Sequence, residues 1–243
     1  MKSTRLLLLL LLSLSAIHCR KNDCFSHAGD RIKVQRQVES FHEIDLYDNI
    51  NLLLTQDTVE TLFVEAGRNL MPNITTTVEK GVLVVRNATS CKWLRDPGET
   101  INVHASVKAL DKLLYKGTGN ITSTNALRAP RLEISSDEGA GDIELSVNTD
   151  VVMVLIHSEN AGITLHGASG ACGGYINPRG HLDLSDLEVA DMNLTYAGAR
   201  NTTVNVSHSL FMRILHTGNV YYKGQPGKLT VETYSSGRLY PWP

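Results

Sequence analysis

From Tyr115 to the C-terminus, apolar and polar residues alternate in short runs, and glycine-centred turns separate one pair of runs from the next. The turns read Gly117-Thr118-Gly119-Asn120-Ile121, Gly139-Ala140-Gly141-Asp142-Ile143, Asn160-Ala161-Gly162-Ile163, Gly180-His181-Leu182, Thr217-Gly218-Asn219-Val220 and Ser236-Gly237-Arg238-Leu239. The apolar residue after each turn falls at Ile121, Ile143, Ile163, Leu182, Val204, Val220 and Leu239. The mean period is about 20 residues, in the range of solenoid repeats. Units this small cannot bury their own apolar face and become stable by stacking on neighbours.

Alternation within the runs assigns the faces. Ile143, Leu145 and Val147 point one way and Asp142, Glu144 and Ser146 the other; Leu182 and Leu184 alternate with His181, Asp183 and Ser185 in the same sense. The runs before the turns, Leu132 to Ile134, Val152 to Ile156, Met192 to Leu194, Leu210 to Ile214 and Leu229 to Val231, supply a second strand for each coil. The pattern predicts an all-β fold, a parallel β-solenoid of coils of about 20 residues. Residues 29–110 are also β-rich but glycine-poor, with strands at Phe41 to Leu46, Leu62 to Val64 and Val82 to Val85; wider coils or a capping sheet are expected there. Asp48-Asn49-Ile50-Asn51-Leu52 echoes the later Gly-Asn-Ile phrase.

The first residues have another character. Lys2 and Arg5 precede the leucine run Leu6 to Leu12, a basic region before an apolar stretch too short to span a bilayer, which reads as a secretory signal over 1–18. Cys19 follows directly, with Ala16 three residues before it, and is the expected lipidation site; cleavage near Ser15 is the alternative. The expected organisation is therefore signal 1–18, anchor and tether 19–28, irregular β region 29–110 and β-solenoid 111–243. In an exported chain a disulfide is permitted. Cys24 and Cys91 flank the N-terminal β region and are the expected pair, leaving Cys172 as a small core residue. The net charge of −2 and scattered basic residues give no footprint for nucleic acid.

Asp23-Cys24-Phe25, the run from Phe41 to Ile50, Val64 to Leu70, Asn87 to Trp93 and Gly117 to Ile121, taken in order, resemble the family called putative auto-transporter adhesin, head GIN domain. The resemblance covers nearly all of the chain after the signal. It implies a secreted or lipid-anchored protein of Bacteroidetes-type bacteria folded as a right-handed parallel β-helix, bent or in two parts, and it implies little chemistry. With the anchor at Cys19, the expected location is the cell envelope, at the outer membrane.

Candidate chemistry is sparse. Parallel β-helices do carry polysaccharide lyases and hydrolases, and Asp137, Glu138 and Asp142 cluster at one turn, as Asp183 and Asp186 do at another. Asp is favoured in turns on its own account, and no carboxylate partner recurs in the repeat register, so the turn-forming role is the simpler one. The nine histidines form no His-x-x-x-His pair, and no calcium-roll motif occurs; no metal or cofactor is expected.

One column before the turns offers contact chemistry: Tyr115, Ser135, His157, Asn177, Tyr196, His216 and Tyr234. Stacked at about 4.8 Å per coil, Tyr, His and Asn would present flat rings beside hydrogen-bonding groups, as a sugar chain requires. A plain ladder capping the corner of the core is the simpler role, and uneven strand parity is compatible with Tyr196 and His216 turning inward. The expected function is an exported, lipid-anchored scaffold or binding module without catalysis, contacting a glycan or another cell-surface protein. A polysaccharide-processing β-helix enzyme is the alternative, and a structural spacer the third reading.

Overall fold

The computed structural model describes residues 27–89, 100–158 and 160–243. Cys19, Cys24 and Cys91, with the signal, anchor and disulfide expected from them, lie outside the described residues. Among the described residues, seventeen strands form one continuous hydrogen-bonded sheet: β1 Arg31–Arg36, β2 Glu43–Asp48, β3 Ile50–Gln56, β4 Thr61–Gly67, β5 Ile74–Glu79, β6 Val82–Asn87, β7 Ile101–Val107, β8 Lys112–Gly117, β9 Ile121–Ser123, β10 Leu127–Ser136, β11 Asp142–Ile156, β12 Gly162–Ile176, β13 His181–Tyr196, β14 Thr202–Ile214, β15 Val220–Lys223, β16 Lys228–Thr233 and β17 Leu239–Pro241. The fold is a β-solenoid, as the repeat predicts.

The run after one turn and the run before the next are a single strand, not two. In β11, Ile143 pairs with Ile121 of β9 while Val151 to Ile156 pair with Arg131 to Ser136 of β10. No glycine or proline interrupts Val147 to Val152, so the chain bends without leaving the ladder; at the bend the buried hydroxyls of Thr149 and Ser169 hydrogen-bond at 2.9 Å. Each coil thus contributes a pre-turn segment and a post-turn segment to two parallel ladders.

The post-turn interior column follows the register Val103, Leu52, Ile121, Ile143, Ile163, Leu182. The next coil presents Thr202, not the expected Val204: Val204 pairs with Leu184, and Thr202 lies opposite Val220. Thr202 is tolerated in the interior because its hydroxyl donates to the carbonyl of Leu182, 2.5 Å away. The earlier echo is likewise displaced by two residues. Leu52 pairs with Ile121, so Asn51 and Leu52, not Asn49 and Ile50, stand where Asn120 and Ile121 stand. The asparagines form a ladder of their own: the Asn51 amide donates to Asn102 Oδ1 at 3.0 Å, and the backbone N–H of Asn120 donates to Asn51 Oδ1 at 2.9 Å.

The N-terminal coils stack out of sequence order. β2 lies between β6 and β8, and β3 between β7 and β9, all parallel. The outer side is then closed by antiparallel strands, β5 on β6, β4 on β7 and β1 on β4. These cap the apolar interior at that end, the task terminal units of a solenoid must perform.

Candidate functional site

The seven pre-turn residues do not form one file. The ladder of Tyr115 runs through Ser136, Ile156, Ile176, Tyr196, Ile214 and Thr233, all on the interior side. Tyr115 and Tyr196 are therefore fully buried. Each donates its hydroxyl to a backbone carbonyl four residues ahead, of Gly119 and Arg200 respectively, and Tyr115 also accepts the N–H of Gly141 at 3.0 Å. Burial pushes both hydroxyls up to about 12. Their rings lie under the turns: a Cβ at Gly139 would strike Tyr115, and one at Gly198 would strike Tyr196. These tyrosines hold turns in place and are closed to solvent.

Ser135 lies in a neighbouring file, buried, with its hydroxyl on Asp137 at 3.0 Å. His157, Asn177 and Tyr234 share a third position: their N–H groups donate to the carbonyls of Ser136, Ile156 and Ile214. His157 and Tyr234 are exposed, Asn177 is half-buried, and His216 is exposed one residue beyond that row. Parity changes because coil lengths are unequal, and each single-residue change turns a side chain to the opposite face.

What the structure brings together instead is the outward side of the pre-turn ladder between β11 and β14. Three outward files cross four coils: Val151, Ala171, Asp191 and Ser209; Met153, Gly173, Asn193 and Phe211; Leu155, Tyr175, Thr195 and Arg213. Gly173 has no side chain to fill its place, and Met153 leans over it, so that an added Cβ would meet Met153 Sδ at 3.0 Å. The result is an open hollow of about 720 Å³. Its β11–β12 side is apolar, and its β13–β14 side carries Asp191, Asn193 and Ser209 beside Met192 and Phe211. The Tyr175 ring is stacked on His157 with centroids 5.8 Å apart and planes at 23°. His157 and Asn177, two of the expected residues, lie just past the Leu155 and Tyr175 file; Met153, Gly173, Tyr175 and Phe211 were not anticipated. Their signal was present in the sequence: Val151 to Ile156 is apolar at every position, where a strand with one wet face should alternate.

At the polar edge, Asp191 Oδ1 accepts from Ser209 Oγ at 2.5 Å and lies 2.7 Å from His208 Nδ1. The serine hydroxyl, then the histidine, hold this carboxyl below its ordinary range. These residue types match a hydrolytic triad, but the order is wrong. A nucleophile needs the imidazole between hydroxyl and carboxylate, whereas here the carboxylate lies between them. The acidic turn residues are engaged locally: Asp137 with Ser135 and with Lys116 at 3.7 Å, Asp183 with the N–H of Ser185 at 2.9 Å, and Asp186 with His166 at 3.7 Å. Cys172 packs between Val152 and Met192 in an interior file, and burial pushes its thiol up to about 12. Among the described residues, no three His, Cys, Asp or Glu side chains are grouped to hold a metal ion.

No curated protein sequence matches the chain. Among solved structures, the fold is similar to a putative adhesin from Bacteroides fragilis, with TM-score 0.81 and 19% identity over 88% of this chain and 97% of that one. It is also similar to a putative adhesin from Parabacteroides merdae, with TM-score 0.66 and 16% identity over 88% and 97%. A putative lipid binding protein from Parabacteroides distasonis gives TM-score 0.65 and 16% identity over 87% and 97%. At these identities the likeness shows the fold. The family model described as putative auto-transporter adhesin, head GIN domain, matches residues 40–226, and the chain belongs to that family.

Proposed function

We propose that this protein is a non-catalytic binding module of the cell envelope, exported by its N-terminal signal and held by a lipid on Cys19, whose outward pre-turn face between β11 and β14 contacts glycans. The observation that carries the ligand class is the composition of the hollow. The Tyr175 ring, stacked on His157, and Phe211 on a further coil line the same hollow as Asp191, Asn193 and Ser209. Sugars present apolar C–H faces and hydroxyl edges together, and rings flanked by carboxylate, amide and hydroxyl groups meet both needs. The rigid ladder beneath presents these groups without an ordering cost on binding. The adhesin family supports a surface-binding role. One structural relative is described as lipid binding, but an acyl chain in this open hollow would stay largely wet, which disfavours that ligand here.

The test is a glycan-array screen of the full chain, run beside a reducing-sugar release assay on the same glycans. Binding without release is the expected result. Release of reducing ends would favour the polysaccharide-processing alternative, and absence of binding to every glycan would remove the ligand class.

A further inference from the structure

We propose that the C-terminal end of the solenoid is a self-association surface, at which β16 of one copy pairs antiparallel with β16 of a second copy about a twofold axis through Thr230. This does not depend on the glycan reading, which concerns the wall of the solenoid and not its end.

The two outermost sides of the described sheet are finished differently. At the N-terminal end, antiparallel β5, β4 and β1 cover the interior. At the other end, three interior files stop on β16: Leu210 faces Leu229, Met212 faces Val231 and Ile214 faces Thr233. Leu210 is 1% exposed and Met212 is fully buried, whereas Leu229 is 43% and Val231 41% exposed. The side chains point into the core direction, and among the described residues no coil lies over them. Stable solenoids end in units with a polar outer face, and this unit keeps apolar residues at interior positions.

The backbone is open as well. Among the described residues β16 pairs with β14 alone. Tyr234 donates its N–H to the carbonyl of Ile214. In a parallel ladder alternate residues face opposite neighbours, so even-numbered residues of β16 face β14, and Leu229, Val231 and Thr233 aim N–H and C=O at the open side. Such an edge is a template for another strand. On the post-turn side, Pro241 in β17 has no N–H to offer. The association therefore runs through β16.

A second copy fits this edge by hydrogen bonding, charge and symmetry together. With Thr230 opposite Thr230 of the second copy, Leu229 faces Val231, and both are edge-directed, so each such pair exchanges two backbone hydrogen bonds. In that register Lys228 of each copy stands opposite Glu232 of the other, a carboxylate that also accepts from Arg213 of its own copy at 2.8 Å, so an opposite-charge cross-strand contact is made twice. Centring on Val231 would instead set Lys228 against Tyr234, and centring on Leu229 would bring Pro226 against Glu232. The charges select Thr230. Charged residues on an edge often serve only to repel strands, but repulsion needs like charges opposite one another, and this arrangement pairs unlike ones. A twofold axis along the normal of the pre-turn sheet keeps interior side chains interior, so Leu229 and Val231 of each copy close the core of the other. The contact is isologous and closes at two copies.

The register gives the test. Facing residues of a non-hydrogen-bonded antiparallel pair have Cα atoms about 4.5 Å apart, which a disulfide can span. Under mild oxidation the full chain carrying Thr230→Cys should form a covalent dimer that the unsubstituted chain, with its native cysteines, does not form. Adding Lys228→Glu should suppress the cross-link several-fold by placing two carboxylates together. Lys228 and Thr230 are exposed, so far-ultraviolet circular dichroism should be unchanged. A Thr230→Cys chain that cross-links no more than the unsubstituted chain overturns the proposal, as does a cross-link indifferent to Lys228→Glu. Stronger cross-linking by Val231→Cys than by Thr230→Cys overturns the register.

Discussion

Replacing Ile163 with alanine removes three carbons from a fully buried position in the post-turn column. Its neighbours in the column, Ile143 and Leu182, are fixed by backbone ladders on either side, so the hole cannot close by sliding one coil onto the next. Loss of burial contributes roughly 2.4 kcal/mol at about 0.8 kcal/mol per carbon. A residual cavity of about 60 Å³ adds roughly 1.4 kcal/mol at about 24 cal/mol per Å³. The expected cost is about 4 kcal/mol, within the range of about 2–5 for such truncations. For a domain of this size that lowers the melting temperature by roughly 8–16 °C. The adjacent Thr164 points outward and is half-buried, and Thr164→Ser should change stability by no more than about 0.5 kcal/mol. Aspartate would be a poor control at that position, because Glu144 and Asp183 flank Thr164 in the ladder and would repel it. Thermal unfolding followed by circular dichroism, with guanidinium midpoints as a second measure, reads both variants. A cost below about 1 kcal/mol for Ile163→Ala, or equal costs at the two positions, would refute the face assignment.

Three further outcomes test other parts of the account. Cys19→Ser should move the protein from the membrane fraction to the soluble fraction of its native host, since the lipid on Cys19 is its proposed anchor; continued co-fractionation with membranes would remove it. If Cys24 and Cys91 form the proposed bridge, reduction should lower the melting temperature, Cys24→Ala and Cys91→Ala should each do the same, and the double variant should add nothing, because the same bridge is lost in every case; peptide mapping that finds Cys172 in a disulfide would contradict the pairing. Glu65 accepts from Arg31 at 2.6 Å and lies 2.9 Å from His104, interactions that hold its carboxyl below 4.5. A carboxyl lowered on folding stabilises the native state fully above its unfolded value and loses that contribution as pH falls through the folded one. Glu65→Gln should therefore lower the urea midpoint at pH 7 and flatten its decline below about pH 4.5; a decline as steep as that of the unsubstituted chain would contradict the assignment.

The repeat made the solenoid legible because glycine turns and the following apolar residues are local signals, and most of them hold the predicted ladder positions, from Ile121 through Leu182. Thr202 broke the reading because an interior hydroxyl satisfied by the carbonyl of Leu182 has no apolar signature, so the nearby Val204 drew the assignment. The order of the N-terminal coils was beyond local pattern. That β2 lies between β6 and β8 is a fact of pairing between distant segments, and nothing in Glu43 to Asp48 records it. The contact column failed as a single file for a geometric reason. Strands have a period of two, so coils of unequal length place pre-turn residues on opposite faces: Tyr115 and Tyr196 went inward under Gly139 and Gly198 while His157 stayed outside. The hollow around Tyr175 was within reach of the same reasoning, since the unbroken apolar run from Val151 to Ile156 places side chains on a face the fold leaves open.

The proposal that glycans are held on the outward pre-turn face is tested most directly by quantitative binding of the full chain to the strongest glycan from the array, with Tyr175→Ala compared against Tyr240→Ala. Both rings are at least partly exposed, and Tyr240 lies on β17, away from the hollow. Loss of one stacking ring should weaken binding roughly tenfold, the equivalent of about 1.4 kcal/mol, while Tyr240→Ala binds as the unsubstituted chain does. Unchanged affinity in Tyr175→Ala, or an equal loss in Tyr240→Ala, would contradict the account.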